Sequence, residues 1–351
     1  MKQLMLLCAA LLWSSQALVC TSFMVERGNQ AVVGKSYDWH IGSGLMTVNK
    51  RNVEKTSLSI LPGDNSINWV SKYGSVTFNQ YGVEFPNGGI NEEGLVIEIL
   101  WLNESQYPAV DSRPTMNEVQ WIQYQLDNYA TTAEIIANIE NIRISRVYGN
   151  VHYLVCDKSR HCAVIEWVKG KTIISDGARA ITNNTYADSD RYLAGFNGFG
   201  GQKGVPTSMS SLDRFTRARM MSENGFAATA GDESWDILKS VRSWRGMGSY
   251  GSYWNITYDL DSMKLQYRHS EVGRKYELDL NRLDFSCKKP RLTYDLESDH
   301  RGTSMMTQMK KYKKSQNDTI LKKSIGPIAG SLPKGALQIL ASMPDYFSCA
   351  E

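Results

Sequence analysis

Thr21-Ser22-Phe23-Met24-Val25-Glu26 and Gln30-Ala31-Val32-Val33-Gly34-Lys35-Ser36-Tyr37 are two short runs rich in β-forming residues, joined by Arg27-Gly28-Asn29. Gly and Asn tolerate the positive φ of a tight turn, so the stretch predicts a β-hairpin with Cys20 at the start of an edge strand. Outward from this hairpin, strands are expected over 94–102, 151–156, 162–168, 171–175, 254–260 and 263–268, most of them joined by short polar turns. Such turns favour antiparallel pairing. Apolar residues recur at three and four over 116–128, 132–144, 211–222 and 234–244, with a Ser or Thr at or near each start, which predicts four helices. Hairpins outnumber strand-helix-strand units, and the expected class is α+β, sheet on sheet with helices outside.

The chain has 351 residues, 42% of them hydrophobic and 21% charged, which excludes a disordered or fibrous protein. Its formal net charge is only +3, too balanced for the basic stripe that a nucleic-acid backbone requires. Between Gly195 and Gly204 glycine is dense, but Gln202 rather than Gly precedes Lys203, so a phosphate loop is rejected in favour of a mobile surface loop. Residues 298–336 are polar and Lys-rich with weak apolar periodicity and read as a solvated stretch within a C-terminal extension over 284–351.

Lys2, the apolar run Leu4 to Trp13 and the small residues Ser14 to Ala17 have the order of a secretory leader. A leader over 1–19 is expected, cut after Ala17 with Leu18-Val19 removed later, or cut directly before Cys20. The apolar run is too short to span a bilayer, so no stable membrane insertion is expected and the location would be periplasmic or secreted. Of the 6 cysteines, Cys8 leaves with the leader, and the odd remainder contains one unpaired thiol. Cys156 and Cys162 flank a polar turn, which suits a local bridge; Cys287 and Cys349 would then pair, with Cys20 as the spare. His152 and His161 beside Cys156 and Cys162 also form a zinc-like cluster, but the bridge is the preferred reading, and no metal or cofactor is expected.

Once N-terminal, Cys20 would carry a thiol with a reference pKa of about 8.5 and an α-amine of about 7.7–8.0 on one residue. The amine can then serve as the base for the thiol. A buried or bridged cysteine and a lipid-acceptor cysteine are the competing readings. Ala17-Leu18-Val19 reverses the usual order of a lipoprotein signal, which carries its large aliphatic first and its small residue last.

Cys20-Thr21-Ser22-Phe23 followed by Gly34-Lys35-Ser36-Tyr37-Asp38-Trp39 resembles the opening of the choloylglycine hydrolase and penicillin V acylase family. Three further blocks follow in the family's order: Gly89-Ile90-Asn91-Glu92-Glu93-Gly94-Leu95, Thr182-Asn183-Asn184 and Ser211-Leu212-Asp213-Arg214-Phe215. Together they run from Cys20 to about Tyr267. The resemblance implies a four-layer αββα sandwich of two antiparallel sheets, an amide hydrolase domain over 20–283, and an N-terminal-nucleophile hydrolase that cuts linear amides. It also implies roles: Cys20 as nucleophile, Asp38 orienting the amine, Asn183 as an oxyanion donor, Arg214 as a fixed positive charge, and the Trp101 backbone N–H as the second donor.

Two positions depart from the family's pattern. Lys35 stands where relatives usually carry Arg, and an ammonium cannot make the planar bidentate contacts of a guanidinium. Trp101 stands where many bile-salt enzymes carry Asn, which points away from conjugated bile salts and toward an acyl or aryl-acetyl group in an aromatic pocket. Tyr37, Trp39, Trp101 and Tyr81, within the 78–85 segment, are the candidates for that pocket. The expected partner is a small-molecule N-acyl amide of the penicillin V, acyl-homoserine lactone or N-acyl amino acid kind. A bile-salt hydrolase, a non-catalytic exported binding module and a lipoprotein are the alternatives, and a homo-oligomer is compatible with the resemblance.

Overall fold

The computed structural model describes residues 20–351 apart from 60, 148, 244–250, 300–301 and 328–334. The expected leader and the end of the helix expected at Trp244 lie outside the described residues. The chain opens with β1 (Thr21–Arg27) and β2 (Gln30–Trp39), then β3 (Leu45–Asn49), β4 (Val53–Thr56), β5 (Asn68–Val70), β6 (Ser75–Asn79), β7 (Pro86–Asn91) and β8 (Val96–Trp101). After β9 (Thr115–Met116) come α1 (Gln120–Asn128), α2 (Thr132–Asn138) and β10 (Arg143–Ile144). Strands β11 (Val151–Cys156), β12 (Cys162–Val168), β13 (Lys171–Asp176) and β14 (Ala180–Ile181) lead to α3 (Tyr186–Leu193), α4 (Ser211–Asn224) and α5 (Ala230–Ser240). The rest is β15 (Gly251–Asp259), β16 (Lys264–His269), β17 (Lys275–Asp279), β18 (Leu292–Asp295), β19 (Lys310–Lys311), α6 (Lys314–Ser324), α7 (Ala336–Ser342) and β20 (Ser348–Cys349).

Two antiparallel sheets dominate, one of six strands in the order β14-β1-β2-β15-β16-β17 and one of nine in the order β13-β12-β11-β8-β7-β6-β3-β18-β19. Successive strand residues point to opposite faces, and both faces of each sheet are apolar here. Met24, Val33 and Tyr37 meet Met46, Phe78, Val96 and Leu154 between the sheets. Phe23, Val25 and Val32 turn the other way, onto Phe215, Ala218 and Ile237 of α4 and α5. Ile97, Ile99, Tyr153 and Ile165 cover Trp121, Ile122 and Leu126 of α1 and Ile135 of α2. These three clusters give the αββα layering, and each large apolar side chain fully buried in them contributes roughly 1.5–3 kcal/mol. Phe23 stands opposite Gly34 on the neighbouring strand, where a Cβ would run into its ring.

The hairpin forms as expected, with Gly28 at φ 56° in the turn. Helix bounds differ from the sequence reading, and α5 begins at Ala230 rather than at Ser234. Met116 belongs to β9, because Asn117 Oδ1 takes the N–H groups of Val119 and Gln120 and begins α1 only there. The helix expected over 132–144 has a capping box between Thr131 and Glu134, but it ends at Asn138, and Arg143–Ile144 pairs with β9 instead. The glycine-rich stretch, read from sequence as a mobile surface loop, is closed by its own backbone hydrogen bonds. Asn197 N bonds Lys203 O, Lys203 N bonds Gly195 O, and Gly201 lies directly against the Gly195 backbone.

The structure joins Cys156 to Cys162 and Cys287 to Cys349, and leaves Cys20 as a free, buried thiol. Residues from 284 onward, read from sequence as an extension with a solvated stretch over 298–336, are knit into the fold. Strand β18 pairs with β3 inside the nine-stranded sheet, and Ile320 and Leu321 of α6 are buried. The apolar periodicity is weak because one narrow face of α6 meets the body while its Lys residues stay outside. Arg291 from this segment reaches the buried carboxylate of Glu84, which also holds Lys55 Nζ at 2.8 Å. Lys55 in turn bonds Asp127 at 2.9 Å, and Trp69 Nε1 donates to the same carboxylate.

Removing one member of a buried ionic network leaves its partner charged and dry. Lys55→Met strips Asp127 of its ammonium, so the free energy of unfolding should fall by about 3–5 kcal/mol. Urea denaturation followed by tryptophan fluorescence measures this, and an unchanged midpoint would show that the network contributes nothing to stability.

Candidate active site

Antiparallel pairing of β1 with β2, with Thr21 opposite Ser36, brings Cys20 beside Asp38 even though 18 residues separate them. The Asp38 N–H donates to Cys20 Sγ at 3.4 Å, and the Asp38 carbonyl lies 3.5 Å from the same sulfur. Period-two alternation sends Tyr37 and Trp39 into the inter-sheet core and the Asp38 side chain to the opposite face. There the Asp38 carboxylate accepts from Ser36 Oγ at 3.2–3.3 Å and from Ser252 Oγ. Ser252 stands directly opposite Asp38 on β15, and the register shifts immediately after it, before Trp254. This bulge re-aims the strand at the site.

Arg214 on α4 is fully buried. Its Nη1 donates to the Cys20 carbonyl at 2.6 Å and to Thr21 Oγ1 at 2.7 Å; its Nη2 donates to Asn183 Oδ1 at 2.8 Å. Asn183 follows β14, and its backbone N–H bonds Ser211 Oγ at 2.8 Å. Its side-chain Nδ2 donates to the Trp101 carbonyl at 2.9 Å. One of the two amide hydrogens of Asn183 is therefore committed to the end of β8, which the sequence did not disclose.

Lys35 is also fully buried, but its ammonium turns toward β8. It donates to the Ile99 carbonyl and lies 3.6 Å from Glu98 Oε2, while Tyr258 OH donates to Glu98 Oε1 at 2.6 Å. Strand β7 makes room for this carboxylate with Gly88, where a Cβ would collide with it.

Burial governs the ionisation of the site. It pushes the Cys20 thiol up, with the Lys35 charge as the largest opposing influence. Burial raises Asp38 to about 6 against the Ser252 hydrogen bond and the Arg214 charge, and raises Glu98 to about 7 against Lys35 and Tyr258. Arg214 is lowered by burial to about 10 and stays a cation at neutral pH.

Of the expected pocket residues, Trp39 and Trp101 meet, with ring centroids 5.9 Å apart, and Trp101 is half-exposed. Tyr37 lies deeper, stacked on Trp254 at 4.4 Å with its hydroxyl bonded to Gln80 Oε1. Tyr81 packs instead against Leu321, Ile325 and Ala341 near the C-terminus, because the segment after β6 turns toward α6. Ser36, Ser252, Glu98 and Thr21 were not singled out from sequence; a serine carries no signal until a bulge or a register places it opposite a carboxylate. Among the described residues, no group of three or more His, Cys, Asp or Glu could hold a metal ion. His161 bonds Asp176, and His152 bonds Glu166.

Residues 20–188 match the model of the linear amide C–N hydrolases, choloylglycine hydrolase family. A penicillin V acylase from Pectobacterium atrosepticum is 29% identical over 249 residues, 62% of this chain and 63% of the relative, so the chain matches less than two thirds of that relative's length. The structure of penicillin V acylase from Agrobacterium tumefaciens superposes with a TM-score of 0.73 at 27% identity, covering 84% of this chain and 98% of that one. A variant of conjugated bile acid hydrolase from Clostridium perfringens superposes with a TM-score of 0.66 at 17% identity, covering 81% and 100% of the two chains, and shares the fold.

The Ser252 hydroxyl stabilises ionised Asp38, so Ser252→Ala should move the carboxyl titration upward from about 6. Carbon-13 NMR of the Asp38 carboxyl in the two proteins measures it. A midpoint that stays put or falls would remove Ser252 from the description of the site.

Proposed function

We propose that the chain belongs to the choloylglycine hydrolase family of linear amide C–N hydrolases, whose model residues 20–188 match, and that it is an exported cysteine N-terminal-nucleophile hydrolase acting on N-acyl amides. The observation that carries this reading is the Arg214 guanidinium, which bonds both the residue bearing the thiol and Asn183. A nucleophile and an oxyanion donor on one fixed cation have the mutual geometry that acyl transfer requires.

In the proposed reaction, removal of the leader frees the Cys20 α-amine, which takes the thiol proton as the sulfur attacks the amide carbonyl carbon. The carbonyl π electrons move to oxygen. That oxyanion receives the second amide hydrogen of Asn183 and the backbone N–H of Trp101. The direction of the latter follows from the ladder: Leu102 N bonds Asn150 O, so the neighbouring Trp101 N–H points to the other edge of β8, the edge whose carbonyl Asn183 holds. Collapse breaks the C–N bond, and the leaving nitrogen takes the proton from the α-ammonium. Water, deprotonated by the same amine, then attacks the thioester and returns the thiol and the free acid. Asp38, charged above about 6, orients the amine and balances its charge. Lys35, hydrogen-bonded to β8, contributes to the thiol electrostatically rather than by contact.

The paired rings of Trp39 and Trp101 support an acyl group with an aryl or long aliphatic part. The two disulfides support passage through an oxidising compartment. Mass spectrometry of the mature protein should find Cys20 as the first residue with an unmodified amine; retained Leu18-Val19 or a lipid adduct would overturn the reading. Against penicillin V, an acyl-homoserine lactone, an N-acyl amino acid and a glycine-conjugated bile salt, Cys20→Ser should abolish turnover of whichever amide the parent cleaves. Loss of an oxyanion donor in Asn183→Ala should lower kcat by about 10²–10³-fold. Unimpaired turnover in either variant would remove that residue from the mechanism.

A further inference from the structure

Behind Asn183 lies a pair of ionisable side chains that the reaction above does not use. His152 on β11 and Glu166 on β12 are 0% and 2% exposed, and they lie beside the Tyr153–Ile165 pair of the two strands. Leu154 and Val164 belong to the inter-sheet core, so alternation puts His152 and Glu166 on that same face, toward the six-stranded sheet where β14 runs. His152 Nε2 lies 2.7 Å from the Thr182 carbonyl, and His152 Nδ1 lies 2.8 Å from Glu166 Oε1. The same carboxylate oxygen accepts the backbone N–H of Tyr186 at 3.0 Å. Thr182 and Tyr186 bracket the turn between β14 and α3, and Asn183 is the residue just inside it.

The proton count makes this an unusually determinate contact. A carbonyl oxygen only accepts, so Nε2 must carry a hydrogen. With Nε2 protonated, a neutral ring would turn the Nδ1 lone pair onto a carboxylate lone pair at 2.8 Å, which is repulsive. One further proton therefore lies between Nδ1 and Oε1, and the pair as a whole is neutral. Replacing either partner alone leaves a buried group without its complement.

We propose that His152 and Glu166 are a positioning pair: by holding the Thr182 carbonyl at one end and the Tyr186 N–H at the other, they fix the turn that aims the Asn183 amide. The catalytic part of this inference rests on the proposed amidase reading, and its structural part does not. In Glu166→Gln, one amide group cannot both accept from Tyr186 and donate to the ring from the same atom, so the turn loses one of its holds.

The test measures kcat and KM with penicillin V as probe, the rate of Cys20 alkylation by iodoacetamide, and backbone hydrogen exchange over 183–186. Glu166→Gln should lower kcat on the order of 10- to 100-fold while leaving KM and the alkylation rate unchanged, because misaim costs the transition state alone. In an Asn183→Ala background the Glu166→Gln substitution should add little, as expected when two residues act through one interaction. An unchanged kcat, or the same loss with and without Asn183, overturns the positioning role. Exchange over 183–186 should accelerate in Glu166→Gln whether or not penicillin V is cleaved, and unchanged exchange overturns the clamp itself. A parent protein inactive toward penicillin V but with accelerated exchange in the variant retains the clamp and counts against the amidase reading alone.

Discussion

A guanidinium taken out of water keeps its charge only if acceptors surround its N–H groups, and Arg214 finds them on separate parts of the chain. They are the Cys20 carbonyl and Thr21 hydroxyl at the mouth of β1, the Asn183 side chain after β14, and the Met209 carbonyl ahead of α4. These pieces have no sequence reason to stay together. A planar fork of donors can bond all of them at once, whereas an ammonium would offer the same charge without the fixed directions. The helix layer is thereby fastened to the six-stranded sheet at the thiol, and the Ser211 hydroxyl beside it bonds the Asn183 backbone N–H and Thr182 Oγ1.

The facing sheet meets this arrangement where β8 outruns β7. The pairing of these strands ends at Gly88 opposite Glu98, and the carbonyls of Ile99 and Trp101 beyond it point toward the β7 side of β8. Buried carbonyls need donors, and side chains from across the sandwich supply them: Lys35 Nζ to Ile99 and Asn183 Nδ2 to Trp101. This accounts for a lysine where relatives of the resembled family carry arginine. A single carbonyl and a single carboxylate on one side of the residue ask for a compact charge, and Glu98 is available for it because residue 88 has no side chain.

The β1–β2 hairpin, strands β11 and β12 and the local Cys156–Cys162 bridge were legible because each is written within a few residues: an alternating run, a Gly-Asn turn, a polar loop between cysteines. Strand β7 was not. Pro86-Asn87-Gly88-Gly89-Ile90-Asn91 has almost no β-forming residues, and it is a strand because its neighbours on both sides come close enough to need glycines there. The C-terminal segment was misread for a related reason. Its attachment lies in β18 bonding β3 and in Arg291 bonding Glu84, partners more than 200 residues away, which leave no local period. Tyr81 was assigned to the substrate pocket by its aromatic company, but the chain direction after β6 carries it to α6. Cys20 was legible from the leader and the odd cysteine count, whereas Asn183 and Arg214 were joined to it by motif resemblance, and three-dimensional proximity adds their hydrogen bonds and the Ser252 bulge.

The ionisation of the site also constrains how a thiol so placed can react. Burial raises the Cys20 thiol, and Lys35 spends its hydrogen bond on β8, so burial works against a resident thiolate. In the proposed reaction the proton must therefore leave the sulfur as the carbon–sulfur bond forms, which requires a base within reach of Sγ. Asp38 touches the sulfur through its backbone, not its carboxylate, which Ser36 and Ser252 hold on the far side. What remains at Cys20 is its own nitrogen, an amide without basicity while residue 19 is attached. Cutting that bond would create the base, which on taking the proton becomes a cation next to Asp38, drawing the carboxyl down from about 6 and making its charge more secure. Under the proposed reading, one hydrolytic event thus supplies the proton acceptor and tightens the group that orients it.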